Sequence, residues 1–89
     1  MATLFRVGRH RILVYTNDHS PAHVHAVGAG GYAKFAIGRS PDDVTLIDTD
    51  GISSRDLQRI ASEIIDHHAE CLAGWERYHG NEDPDRSSS

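Results

Sequence analysis

A glycine-rich segment in the first half of the chain constrains the fold more than any other feature. Gly28-Ala29-Gly30-Gly31 separates two segments of strand-like composition, residues 22–27 and 32–37. Glycine supplies the positive φ angles that a tight hairpin requires, so the two segments are predicted to pair as antiparallel strands. With these four residues as the loop, three pairs face each other across the hairpin: Val27 with Tyr32, His25 with Lys34, and His23 with Ala36.

This register divides the hairpin side chains between the two faces of a sheet, because side chains alternate along a strand. The apolar face carries Val24, Ala26, Ala33, Phe35 and Ile37. The opposite face carries His23, His25, Tyr32 and Lys34. An apolar face must be covered, so a helix is predicted to pack on the first face, with both histidines pointing away from it.

Two further regions have strand-like sequences. Residues 4–16 end in a continuous apolar run, which indicates a central strand covered on both faces, and Gly8 marks a bulge or turn between two short strands. Residues 44–48 are predicted to form a final strand that ends at residues 49–51.

The second half of the chain predicts one long helix from Ser54 to His79. Ser53 is a good N-cap, and Gly74 is a position where the helix can bend. One apolar stripe recurs at helical spacing: Leu57, Ile60, Ala61, Ile64, His67 or His68, Cys71, Leu72 and Trp75. The expected fold is therefore α+β, a small antiparallel sheet of three to five strands with one long C-terminal helix packed across one face. Residues 3–79 form the single domain, and residues 80–89, which have no apolar side chain, form a disordered tail.

The composition restricts the class of protein. Cys71 is the only cysteine, which excludes an intrachain disulfide or a cysteine metal cluster, and we interpret it as a small buried hydrophobe.

No positively charged segment followed by an apolar run begins the chain, and no stretch is long enough to span a membrane, so a soluble, cytoplasmic protein is expected. A chain of 89 residues has a modest stability margin, which a homodimer or another protein partner would increase.

The net charge of −4 is unevenly distributed, about +4 in residues 1–39 and −8 in residues 40–89. A small basic cluster could meet a phosphate or an acidic partner: Arg6, Arg9, His10 and Arg11. A solvated strand end balanced by the acidic helix explains the same cluster, and the acidity of the whole chain disfavours nucleic acid as a partner.

The segment of residues 17–25, Asn-Asp-His-Ser-Pro-Ala-His-Val-His, gathers the candidate functional residues. His23 and His25 share one face of a strand, and with His19 they could supply three ligands to a zinc or manganese ion, with Asp18 as a fourth ligand or as a partner of a ligand. A metal-free site is the second alternative. In it His19 or His23 acts as general base, Asp18 orients it, and Lys34 or Tyr32 stabilises negative charge. The third alternative is structural, with Asp18 and His19 bonded to the turn backbone and the other two histidines half exposed.

The same segment, preceded by residues 12–15 and followed by a strand that contains Gly-Tyr, resembles the bacterial domain of unknown function family 4160, whose members carry a segment like DHNPPHFHV. The resemblance extends to the helix, where members have a histidine eight residues before a tryptophan, as His67 and Trp75 are here. It implies a role as one half of a toxin-antitoxin-like pair, because members are often encoded beside a second small protein.

Two classes of function follow. The first is a small interaction protein of a toxin-antitoxin-like or mobile-element module, which acts by binding another protein. The second is a minimal histidine-dependent or metal-dependent enzyme, hydrolase or nuclease-like, that uses His19, His23 and His25. His67 and His68 are interpreted as satisfied helix histidines. No partner is identified for His10 or His79.

Overall fold

The computed structural model describes residues 2–19, 21–28 and 30–79, and within them a five-stranded antiparallel sheet and two α-helices. The strands are β1 (Ala2–Val7), β2 (His10–Val14), β3 (His23–Gly28), β4 (Gly31–Ala36) and β5 (Thr45–Asp50). They lie side by side in chain order, and each is antiparallel to the next. The predicted α+β class and antiparallel sheet are therefore confirmed. The predicted tail, residues 80–89, lies outside the described residues.

The predicted hairpin register is confirmed. β3 and β4 pair in the expected alignment: His23 with Ala36, His25 with Lys34, and Val27 with Tyr32. The final strand begins one residue later than expected and continues to Asp50, which pairs with Tyr32. Residues 49 and 50, expected to end the strand, therefore belong to it.

The prediction of one long helix is wrong, because the chain forms α1 (Ser54–Asp66) and α2 (His68–His79). The helix is interrupted at His67, whose φ of −109° and ψ of 28° are not helical. Ser53 caps α1 as expected, since its Oγ accepts a hydrogen bond from the backbone N–H of Asp56. α2 continues through Gly74, where a Cβ would lie only 2.5 Å from a methyl carbon of Leu4. The glycine therefore allows the helix to approach β1 closely.

Buried residues of the sheet and of both helices form one apolar cluster. It includes Val24 and Phe35 of the sheet and Ile37 just after β4, and its helix members are Ile60, Ile64, Cys71 and Trp75. Leu13 is fully buried but lies outside this cluster, on the face that it shares with its pairing partner His25. Strand β2 is thus buried on both faces within one chain. Its apolar sequence therefore does not by itself require a partner protein. None of the described helices is both long enough and apolar enough to cross a membrane.

Candidate metal centre

Three side chains meet where β2 ends and β3 begins. Asp18 lies in the turn after β2, where its backbone N–H donates to the carbonyl of Tyr15 at 3.3 Å. His23 and His25 lie on β3, two residues apart and therefore on one face. One potential ligand atom from each of Asp18, His23 and His25 lies within 4.8 Å of the others. Tight folding of the turn thus brings a carboxylate to the two imidazoles of the strand.

His23 is 4% exposed, and its orientation is fixed by a backbone contact. Its Nδ1 lies 2.8 Å from the carbonyl oxygen of Pro21. A carbonyl oxygen can only accept, so Nδ1 must donate, and in the neutral ring Nε2 carries a lone pair. That Nε2 is buried and has no hydrogen-bond partner among the described residues. It lies 3.0 Å from Oδ2 of Asp18, within ion-pair distance, but is not hydrogen-bonded to it.

His25 approaches the same carboxylate oxygen. Its Nε2 lies 3.0 Å from Oδ2 of Asp18 and forms a hydrogen bond with it. The pKa of His25 is lowered, chiefly by burial, with smaller contributions from His23 and Lys34, whereas Asp18 opposes the change. Burial, more than the charge of Lys34, therefore favours the neutral imidazole, which is the form that binds a metal.

The charge of Asp18 is also set by this group. Burial raises the pKa of Asp18, but its side-chain and charge interactions with His25 and His23 lower the pKa by more, so that the net change is downward. At neutral pH the centre therefore contains an ionised carboxylate.

Two of the three separations between ligand atoms match those found around a metal ion. When metal–ligand distances are about 2.1 Å, neighbouring ligand atoms are about 3.0–3.4 Å apart in octahedral and tetrahedral sites. Both imidazole nitrogens lie 3.0 Å from the Asp18 oxygen. Two imidazoles and one carboxylate are also the donor set of metal sites that keep open positions for water or substrate.

Aromatic rings surround the centre, and those of Trp75 and His79 belong to α2, so the expectation that both histidines point away from the helix is wrong for His23. The ring of Trp75 lies with its centroid 5.0 Å from that of His23, and the ring of His79 stacks on Trp75 at 3.8 Å. His79 Nε2 donates to the carbonyl of Tyr15 at 3.0 Å, while the Tyr15 ring meets His25 edge-on at 4.6 Å. His79 is therefore a partner that sequence reasoning missed. Its position four residues after a core tryptophan on a helix was the available signal.

The other predicted residues are placed differently. His19 is exposed and is not one of the three clustered residues. Asp18, rather than the expected His19, is the third residue beside His23 and His25. Lys34 faces His25 across the hairpin, as expected. The hydroxyl of Tyr32 donates to Asp48 at 2.9 Å, and this bond raises the pKa of Tyr32.

His67 and His68 are not among the three clustered residues. His68 is buried and donates to the carbonyl of Ile37 at 2.7 Å, which confirms its interpretation as a satisfied histidine. The ring of His67 packs on Phe5, with centroids 4.8 Å apart. Both contacts join the helices to the rest of the fold.

Comparison with known proteins gives one match. A family model described as a domain of unknown function, DUF4160, matches residues 10–76, which include the three clustered residues and most of both helices. No curated protein matches the chain. No solved structure matches it.

Proposed function

Since the chain belongs to the domain of unknown function family DUF4160, a description that names no activity, we propose its function from the geometry: it is a divalent-metal protein whose centre is Asp18, His23 and His25. The observation that carries this proposal is the buried Nε2 of His23, which faces a carboxylate and has no hydrogen-bond partner among the described residues. A buried polar atom without a partner costs free energy, and a bound cation removes that cost.

The donor set indicates the class of metal. Imidazole nitrogen with carboxylate oxygen suits zinc, manganese and iron(II), whereas a calcium or magnesium site is built from oxygen ligands alone. Three protein ligands leave at least one position for water, and a bound metal lowers the pKa of such a water towards neutrality. This supports a hydrolase or nuclease-like activity. The exposed His19, adjacent to Asp18 in sequence, is then available to exchange protons with solvent.

Calorimetric titration of chelator-treated protein with zinc, manganese and nickel tests the proposal. We expect one ion per chain, and we expect His23→Ala and His25→Ala each to abolish binding. His10→Ala is the matched control, because His10 lies at the other end of β2. His79 is a poor control, since it stacks on Trp75 beside the centre. Wild-type binding no tighter than that of the double His23/His25 alanine variant would refute the proposal.

A second candidate is a small interaction protein of a toxin-antitoxin-like module, and β5 favours it. This strand is the last of the sheet and pairs only with β4 among the described strands. Leu46 and Ile47 on it are 42% and 51% exposed. An exposed apolar edge strand is a template for pairing with another chain.

Light scattering tests this second candidate at high protein concentration, with and without the product of the neighbouring gene. We expect a dimer or a complex that Ile47→Lys disrupts. Ile65→Lys on α1 should leave it intact, because Ile65 is similarly exposed at 42% but lies away from the edge. A monomeric mass with no complex would contradict the interaction role.

A further inference from the structure

A cleft lies at the opposite end of β2 from Asp18, His23 and His25. It has a volume of about 470 Å³ and is formed by the turn between β1 and β2, the residues after β5 and the first turns of α1. Its polar lining consists of Arg9, His10, Asp56 and Arg59. Its apolar lining consists of Val7, Ile52 and Ile60. The cleft therefore combines charged groups with an apolar surface.

The two arginines are available to a ligand. Neither Arg9 nor Arg59 forms an ion pair with any residue in the described part of the chain, and both are exposed. Nη1 of Arg59 lies 3.6 Å from the position that a Cβ on Gly8 would occupy, so the guanidinium extends over the β1–β2 turn. Gly8 has a φ of +59°, a conformation that glycine adopts without strain, and it allows this tight turn. Two positive groups thus border one cleft.

Glycines also shape the neighbouring walls. A Cβ on Gly28 would lie 2.5 Å from Cδ2 of His10, so this glycine leaves room for the imidazole beside the cleft. Gly51, with a φ of +79°, lines the cleft where the chain turns from β5 towards α1. Because Gly51 has no side chain, nothing projects from this position into the space between the turn and the helix.

We propose that this cleft binds a phosphorylated sugar, such as a nucleotide. Arg9 and Arg59 would hold the phosphate, because guanidinium groups present paired donors that match its oxygens. Asp56 is a hydrogen-bond acceptor suited to a sugar hydroxyl, and the apolar lining suits a base or ring face. The inference goes beyond the metal centre, since it uses no residue of that centre.

Calorimetric titration of the full chain with three probes tests this inference: adenosine 5′-monophosphate, inorganic phosphate and adenosine. We expect the monophosphate to bind most tightly, because only it engages both the arginines and the apolar lining. Arg9→Gln and Arg59→Gln should each weaken its binding by about tenfold or more. Arg55→Gln is the matched control, since Arg55 is exposed on the same helix but is not part of the cleft lining.

Comparison of the three probes and of the variants shows which part of the proposal fails. Adenosine that binds as tightly as the monophosphate would overturn the phosphate role of the arginines. Equal affinity of Arg9→Gln, Arg59→Gln and wild type would overturn the assignment to this cleft, and so would the absence of binding at millimolar monophosphate. The His25→Ala variant should bind the monophosphate as wild type does, so a failure of the metal proposal would leave this result unchanged.

Discussion

His23 Nε2 and Asp18 Oδ2 approach to 3.0 Å without forming a hydrogen bond, although the nitrogen is buried. The Nδ1 proton of His23 is committed to the carbonyl of Pro21, so the neutral ring directs a lone pair at the carboxylate. In that form of the ring, two acceptors at this distance would repel each other. A cation between them would bond to both, which is why this pair is the basis of the proposed metal centre.

Asp18→Asn is expected to remove the stabilisation that a metal provides. A ligand at one hundred times its dissociation constant adds about 2.7 kcal/mol, which raises the Tm of a domain this size by about 10 °C or more. The amide lacks the negative charge that holds a cation, so the variant should show no such shift. Thermal melts with and without zinc check this, with the exposed Asp42→Asn as control. The same shift in Asp18→Asn as in wild type would contradict the assignment of this ligand.

Ile64→Ala should lower the free energy of unfolding by about 2–5 kcal/mol, because Ile64 is fully buried in the apolar cluster. The adjacent Ile65 is 42% exposed, so Ile65→Ala should cost much less. Leu72, also predicted to be a core residue, is only partly buried and should give an intermediate value. Urea denaturation measures all three. Equal losses at positions 64 and 65 would refute the placement of α1 on the sheet.

Gly51→Ala should destabilise the fold more than Gly30→Ala. Both glycines have a φ near +80°, so the backbone strain of an alanine is similar at the two positions. They differ in space: a Cβ on Gly51 would collide with the carbonyl oxygen of Gly30, whereas a Cβ on Gly30 would meet nothing within 4 Å. Thermal melts compare them. An equal decrease in Tm for both variants would contradict this expectation, because it would mean that backbone strain alone sets the cost of the alanine.

Cys71 should react slowly with iodoacetamide in the folded protein. Burial, with a smaller effect of Glu70, raises the pKa of the thiol to about 12. Since only the thiolate is nucleophilic, little of the reactive form exists near pH 8. Mass spectrometry should show fast labelling in urea and slow labelling without it. Fast labelling of the folded chain would contradict the burial of this residue.

The sheet pairing was predictable because its determinants are local. Gly28, Gly30 and Gly31 indicated the turn, and alternation of side chains then fixed the partners of His23 and His25. The interruption at His67 was not predictable, because neither glycine nor proline marks it.

Asp18 shows the same limit at the centre. From the sequence, Asp18 was predicted to be a fourth ligand, a partner of a ligand or a turn residue. His19 was predicted to be the third ligand beside His23 and His25. Whether Asp18 or His19 joins the two histidines depends on how the turn folds. Part of that fold is the hydrogen bond from the backbone N–H of Asp18 to the carbonyl of Tyr15. That bond is local, but the contacts of Asp18 with His23 and His25 depend on how the turn packs against β3, which sequence spacing does not encode.

Fluorescence of Trp75 provides the most direct test of the metal centre, because it is the only tryptophan and its ring lies 5.0 Å from that of His23. Nickel(II) bound to His23 should quench this fluorescence through its partly filled d shell. We predict saturable quenching of chelator-treated wild type at one ion per chain, and none in His25→Ala, which keeps the contact between His23 and Trp75. No saturable change in wild type, or equal quenching in His25→Ala, would contradict the proposed centre.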